Sequence, residues 1–200
     1  GTVEDLVVNG HDFSATGVPT IGNVTVSATN ATISLTDSVA ALGSVTVNND
    51  GDLDLSHSDD SEFSSGNPVT VGVSSTSTGA LTFSNGEFQV SGITFDNGTL
   101  TISSKVTTTG NFVFGGGDSN DDVSLVLNSD LWVEDADVLE DGPHTSSVTG
   151  SGALYMDLQN NTHAFQTDAS DGLSLPNLEI GVSSGVMVLT GGDVTVTNHF

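Results

Sequence analysis

One short pattern constrains this chain more than any other feature. Glycine, any residue, an apolar residue, any residue and a second apolar residue follow one another ten times. The units are GNVTV from Gly22, GSVTV from Gly43, GDLDL from Gly51, GALTF from Gly79, GEFQV from Gly86, GTLTI from Gly98, GNFVF from Gly110, GALYM from Gly152, GVMVL from Gly185 and GDVTV from Gly192. With 24 glycines and 35% apolar residues, chance supplies roughly three. Apolar residues two apart share one face of a strand, and the residue between them, usually Thr, Ser or Asp, faces water. The leading glycine tolerates the positive φ of a tight turn. Helical patterning is nearly absent, with only 38–42 and 132–139 hinting at a turn of helix. The chain is therefore expected to be all-β.

The distances between successive units are 21, 8, 28, 7, 12, 12, 42, 33 and 7 residues. Short steps are one strand plus one turn, and steps of 21 or 28 match one full coil of a β-solenoid. Near-identical strands favour a parallel β-solenoid (a right-handed β-helix), in which each coil covers the one below. A β-sandwich or jelly roll is the alternative, since it too has many short strands at such spacing. The whole chain, 1–200, reads as a single β-rich domain with an internal boundary expected near 134–152. Three polar stretches, 50–67, 115–122 and 134–152, read as surface loops. The alternation places Leu81, Phe83, Phe88, Val90, Leu100, Ile102, Phe112 and Phe114 inward and Thr82, Gln89 and Thr101 outward. It leaves Val113 unassigned.

The charge balance removes whole classes of function. One Lys, no Arg and 26 acids give a net charge of −25. Such a chain cannot neutralise phosphates, which excludes nucleic acid as a partner, and anionic membrane surfaces repel it. No apolar run reaches the ~18 residues of a membrane span, so membrane insertion is not expected. The absence of Cys rules out disulfides, thiol catalysis and thiolate metal sites. Self-repulsion of this size needs salt or bound cations to screen it, which suits an extracellular or cell-surface setting. The opening at Gly1 fits a processed protein or a segment of a longer one.

The most distinctive stretch is C-terminal. Leu175-Pro-Asn-Leu-Glu-Ile is followed by Gly185-Val-Met-Val-Leu-Thr-Gly-Gly-Asp-Val-Thr-Val-Thr. It resembles the repeat of β-helical segments in large secreted microbial surface proteins, and Val3-Glu-Asp-Leu-Val-Val-Asn-Gly looks like a degraded second copy. The clear match covers 175–200. The resemblance implies an adhesin, stalk, sheath or filament component and brings no active site with it. The end at Phe200, inside the motif, implies a further strand from a longer chain or a neighbouring subunit.

Candidate chemistry is sparse. Asp50, Asp52 and Asp54 place oxygen ligands at alternate positions, as do Asp118, Asn120 and Asp122, and calcium is the cation that such hard ligands take. Neither group continues as an EF-hand loop, and a solvated acidic loop is the alternative. Glycosylation sequons occur at Asn23, Asn30, Asn97 and Asn160. A carbohydrate-active β-helix enzyme has acids in plenty here. It lacks cations to hold an acidic glycan, and one Trp and one Tyr offer little platform for a neutral one. No catalytic residue and no organic cofactor are assigned. His11, His57, His144, His163 and His199 show no ligand spacing. Lys105 suits an amide crosslink to Asn or an exposed strand end, and Trp132 suits core or end-cap packing more than sugar stacking. The expected role is a non-catalytic extracellular building block of a filament, sheath or surface layer. Its partners would be copies of itself or adjacent modules of the same chain. An adhesin or glycan-binding stalk module is second, and a carbohydrate enzyme third. The assembly contacts are expected at the apolar ends, through Leu6, Val7, Val8, Val186, Val188, Val194 and Val196, with no polar cap beside them.

Overall fold

A computed structural model describes residues 2–8, 13–15, 20–26, 31–35, 41–42, 44–47, 51–57, 62–65, 69–72, 78–115, 122–140, 142, 145–168, 173–181 and 185–199. Among them there is no helix, and the strands pair in parallel as a stacked β-solenoid. The strands fall into three stacks. The first runs Ala41–Leu42, Glu62–Ser65, Glu87–Val90, Val106–Thr108, Leu131–Glu134, Leu154–Asp157 and the second half of Leu173–Gly181. The second runs Val45–Val47, Val69–Val71, Ile93–Phe95, Phe112–Phe114, Val138–Glu140, Thr162–Gln166 and Val186–Thr190. The long strands Thr2–Val8 and Thr20–Val26 precede both and span the two. The third is the seven-stranded sheet of Phe13–Ala15, Ala31–Leu35, Gly51–His57, Gly79–Phe83, Gly98–Ile102, Asp122–Leu127 and Thr145–Gly150. Beyond it, Val194–His199 pairs with the first half of Leu173–Gly181.

Parallel sheets usually need helices on both faces. Here the sheets curl around a shared interior instead, so one face of each strand is dry and the other wet, and the alternation survives. The interior consists of apolar columns along the solenoid axis. Residue by residue, one column runs Leu6, Val24, Val45, Val69, Ile93, Phe112, Val138, Phe165 and Leu189. Its members from Val24 to Phe165 are fully buried. A second column stacks Leu53, Leu81, Leu100 and Leu125 beneath Val148. All eight residues assigned inward from the sequence are buried, and Thr82, Gln89 and Thr101 are only partly so. Val113 faces outward, between Thr94 and Leu139 in register and flanked by buried Phe112 and Phe114.

The leading glycines have two physical causes. Gly51, Gly79 and Gly98 are register partners at one corner. Gly98 has φ +112, which supports the turn reading, and a Cβ there would also lie 2.0 Å from the Gly79 carbonyl oxygen. At Gly79 the cause is close approach, since a Cβ would lie 2.5 Å from the Val47 carbonyl oxygen. At other corners Asx side chains join successive coils. Asn97 Oδ1 accepts the Asp122 N–H (3.3 Å), Asn111 Oδ1 that of Asp137 (3.1 Å) and Asp130 Oδ1 that of Ala153 (2.9 Å).

Several local expectations are corrected. The supposed helical turn at 132–139 is the strand Leu131–Glu134, a turn at Asp135 and the start of Val138–Glu140. Of 38–42, only Ala41–Leu42 is described, and it is a strand. The polar stretch 50–67 holds two strands, Gly51–His57 and Glu62–Ser65, because its acids alternate with buried Leu53 and Leu55. The stretch 134–152 carries Val138–Glu140 and Thr145–Gly150, both stacked on the preceding coil. Within 115–122, residues 116–121 lie outside the described residues.

The stacked pair Phe112 and Phe114, 5.3 Å apart at the ring centroids, fills the middle of this interior. Replacing Phe112 with Ala is expected to cost about 3–5 kcal/mol in a denaturant titration. A loss below about 1 kcal/mol would place Phe112 outside the core.

Candidate functional site

The apolar column is sealed along its length and open at its ends. Leu189 sits over Phe165 in the inward register yet is 56% exposed, since among the described residues no strand pairs above it. Val186 and Val188, on the same strand, are 54% and 41% exposed. Val194 and Val196 stack on buried Leu173 and Leu175 but are themselves only partly buried, like Ile180 and Met187. At the other end Leu6 covers Val24 and is partly buried, while Val7, outward over Thr25, is 60% exposed. The Val8 backbone pairs with Val26, and its side chain lies outside the described residues. Among the described residues, the exposed large hydrophobic side chains are confined to these two coils. Burying one Leu or Val is worth about 1.5–3 kcal/mol.

The calcium candidates are not gathered into a site. Asp52 and Asp54 point outward from Gly51–His57, and Asp54 accepts a hydrogen bond from the Ser84 hydroxyl of the next coil. Asp122 is exposed, with its N–H on Asn97. Asp50, Asp118 and Asn120 lie outside the described residues, among which no group of three His, Asp or Glu is arranged to hold a metal ion. The sequons differ in access. Asn23 and Asn160 are exposed, Asn97 is 2% exposed, and Asn30 lies outside the described residues. The folded chain therefore does not offer Asn97 to a transferase.

Coil stacking brings together polar residues that are far apart in sequence. His163, 12% exposed at its side chain, faces Asp135 Oδ1 through Nε2 (2.9 Å) and Asp137 Oδ1 through Nδ1 (3.2 Å). Asp137 Oδ1 also accepts the Ala164 N–H (2.9 Å), and Asp135 accepts from the Asn161 amide. The Asn161 and His163 hydrogen bonds hold the exposed Asp135 carboxyl below its ordinary value of 3.8. At the next corner Glu140 is buried at an inward position above Phe114. It accepts from Ser146 Oγ (3.2 Å) and the Asp168 N–H (3.0 Å), beside an open cavity of about 400 Å³. These acids brace corners between coils.

The chain's single Trp, Tyr and Lys also meet. Trp132 and Tyr155 are outward register partners, stacked with ring centroids 3.8 Å apart, and Lys105 Nζ lies 5.2 Å from the Trp132 ring centroid. Tyr155 packs its hydroxyl where a Cβ on Gly181 would sit. The Trp132 indole N–H is buried without a partner, a cost of about 1–3 kcal/mol set against the stacking and cation–π contacts. With Tyr155 on one side of its ring and the Lys105 ammonium over it, Trp132 works as a clamp across successive coils. Lys105 is engaged there with the ring.

Comparison with known proteins finds no family model, no curated protein and no solved structure that matches the chain.

The Asp135 hydrogen bonds have a pH consequence. A carboxyl whose folded value is depressed adds stability above its ordinary value and loses that contribution as pH falls through the lower, folded one. Asp135→Asn should therefore be less stable than the wild type near neutrality. The difference should stay constant well above 3.8, the ordinary value, and shrink as pH falls below it in equilibrium unfolding. A difference that stays constant through that fall would mean that the Asp135 charge does not stabilise the corner.

Proposed function

We propose that the chain is a non-catalytic structural module that associates end to end with further copies of itself, as part of a filament, sheath or surface layer outside the cell. The observation that carries this reading is the apolar column from Leu6 to Leu189, buried throughout its interior and ending on an exposed leucine. An unpaired parallel edge over an open apolar core is a template for strand addition. Soluble repeat proteins close such ends with polar capping units, and the GVMVL and GDVTV strands carry none of that character. The high acidity and the lack of Cys suit an extracellular, saline setting. The adhesin or glycan-binding reading draws less support, because the Trp132 ring is already engaged in stacking on Tyr155 and in a contact with the Lys105 ammonium.

The test is sedimentation velocity of the 200-residue chain across protein concentrations in moderate salt, which screens the 26 acids. Wild type should form a concentration-dependent series of oligomers. A Leu189→Asp chain, in which the exposed end of the column is made polar, should remain monomeric with its β circular dichroism intact. Wild type that stays monomeric throughout, or a Leu189→Asp chain that assembles normally, would remove the reading.

A further inference from the structure

We infer that the joint between copies is polar: the first coil of one copy stacks on the last coil of the next, giving an open-ended head-to-tail polymer and not a tail-to-tail or head-to-head dimer. This rests on the end-to-end reading above and adds the orientation of the partner.

The coil-on-coil interface is directional in three respects. Strands pair in parallel throughout, so the upper edge of any coil fits the lower edge of another coil running the same way. A two-fold joint between two upper edges would instead force antiparallel pairing. The corner side chains carry the same direction. Asn97, Asn111, Asp130, Asp137 and Glu140 each accept the backbone N–H of a residue 23 to 28 positions later, always from the coil above. Two upper edges brought face to face would set such acceptors against each other. Finally, the column is continuous in register from its first member to its last. Leu6 of a second copy placed over Leu189 would sit as Leu189 sits over Phe165 and as Val24 sits over Leu6. The same shift carries the partner's Val7 over Thr190, one residue further along each strand.

Given the end-to-end reading, the occupant is a second copy presenting its opposite end, and the joint repeats the contact that already holds each coil to the next. A heterologous contact of this kind does not close on itself unless the rotation per copy brings the ends together, so it generates a filament. The last coil carries the exposed acids Glu179 and Asp193, and the chain as a whole sets 26 acids against one Lys. Salt should therefore shorten the lag and lengthen the polymer.

Complementation tests the orientation. One variant blocks the first coil (Leu6→Asp) and one blocks the last (Leu189→Asp). Each is also made with Lys, so that added charge is separated from loss of the apolar contact. Circular dichroism and Trp132 fluorescence confirm that each folds, and Val196→Asp replaces Leu189→Asp if the latter does not. Head-to-tail stacking predicts that each variant alone is monomeric. Their equimolar mixture should form a 1:1 dimer and stop, with association at least tenfold tighter than in either variant alone. If Leu6→Asp alone dimerises through its intact last coil, or Leu189→Asp through its intact first coil, the polarity is wrong while self-association stands. If wild type itself does not associate, the underlying end-to-end reading fails.

Discussion

A single coil of this chain has too little thickness to bury anything by itself. Its inward side chains are dry only because the coil above and the coil below supply the same kind of residue at the same position. Everything else follows from that dependence. It demands a column of matched apolar residues, hence the repeated alternation, and it demands parallel register, since only a translated copy of a coil matches its neighbour. The exterior is then free to be almost anything that water accepts, and this chain fills it with Thr, Ser and a large excess of Asp.

The polar residues act within the same constraint. Interior positions do not tolerate unpaired charge, and the buried carboxylate of Glu140 is held by a hydroxyl and a backbone N–H. At the corners, where backbone groups leave the ladder, Asn and Asp oxygens take N–H groups of the following coil. The acid-rich composition thus serves the stacking as well as the surface. The Lys105–Trp132–Tyr155 clamp extends the same logic to the outside, tying successive coils where their outward residues align.

Much of this was legible in the residues. Leu81 and Phe83, or Phe112 and Phe114, announce a dry face through their spacing alone, and near-identical units announce stacking. What was not legible depends on coil length. Register offsets range from 18 between Thr2 and Thr20 to 28 between Gly51 and Gly79, because turns of different size fit the same ladder. No fixed period could therefore bring His163 to Asp135 and Asp137, or Asp168 to Glu140. The acids of 50–67 were misleading for a related reason: Asp52 and Asp54 look like loop residues but are the outward half of an alternating strand. Glu140 misleads the other way, since nothing in Val138-Leu139-Glu140 marks the acid as inward. The apolar character of the first and last strands was legible in Leu6, Val186 and Val188. That Leu6 and Leu189 belong to one column was not.

In the proposed assembly the last coil gains its cover only from a second copy. Hydrogen–deuterium exchange on dispersed and assembled protein measures this directly. Amides of Val186–Thr190 and Val194–His199 should exchange readily in the monomer and become protected on assembly. Those of Ile93–Phe95 and Phe112–Phe114 should be protected in both states. Protection that appears on assembly along the outward faces of the middle coils, with the last coil unchanged, would contradict the account.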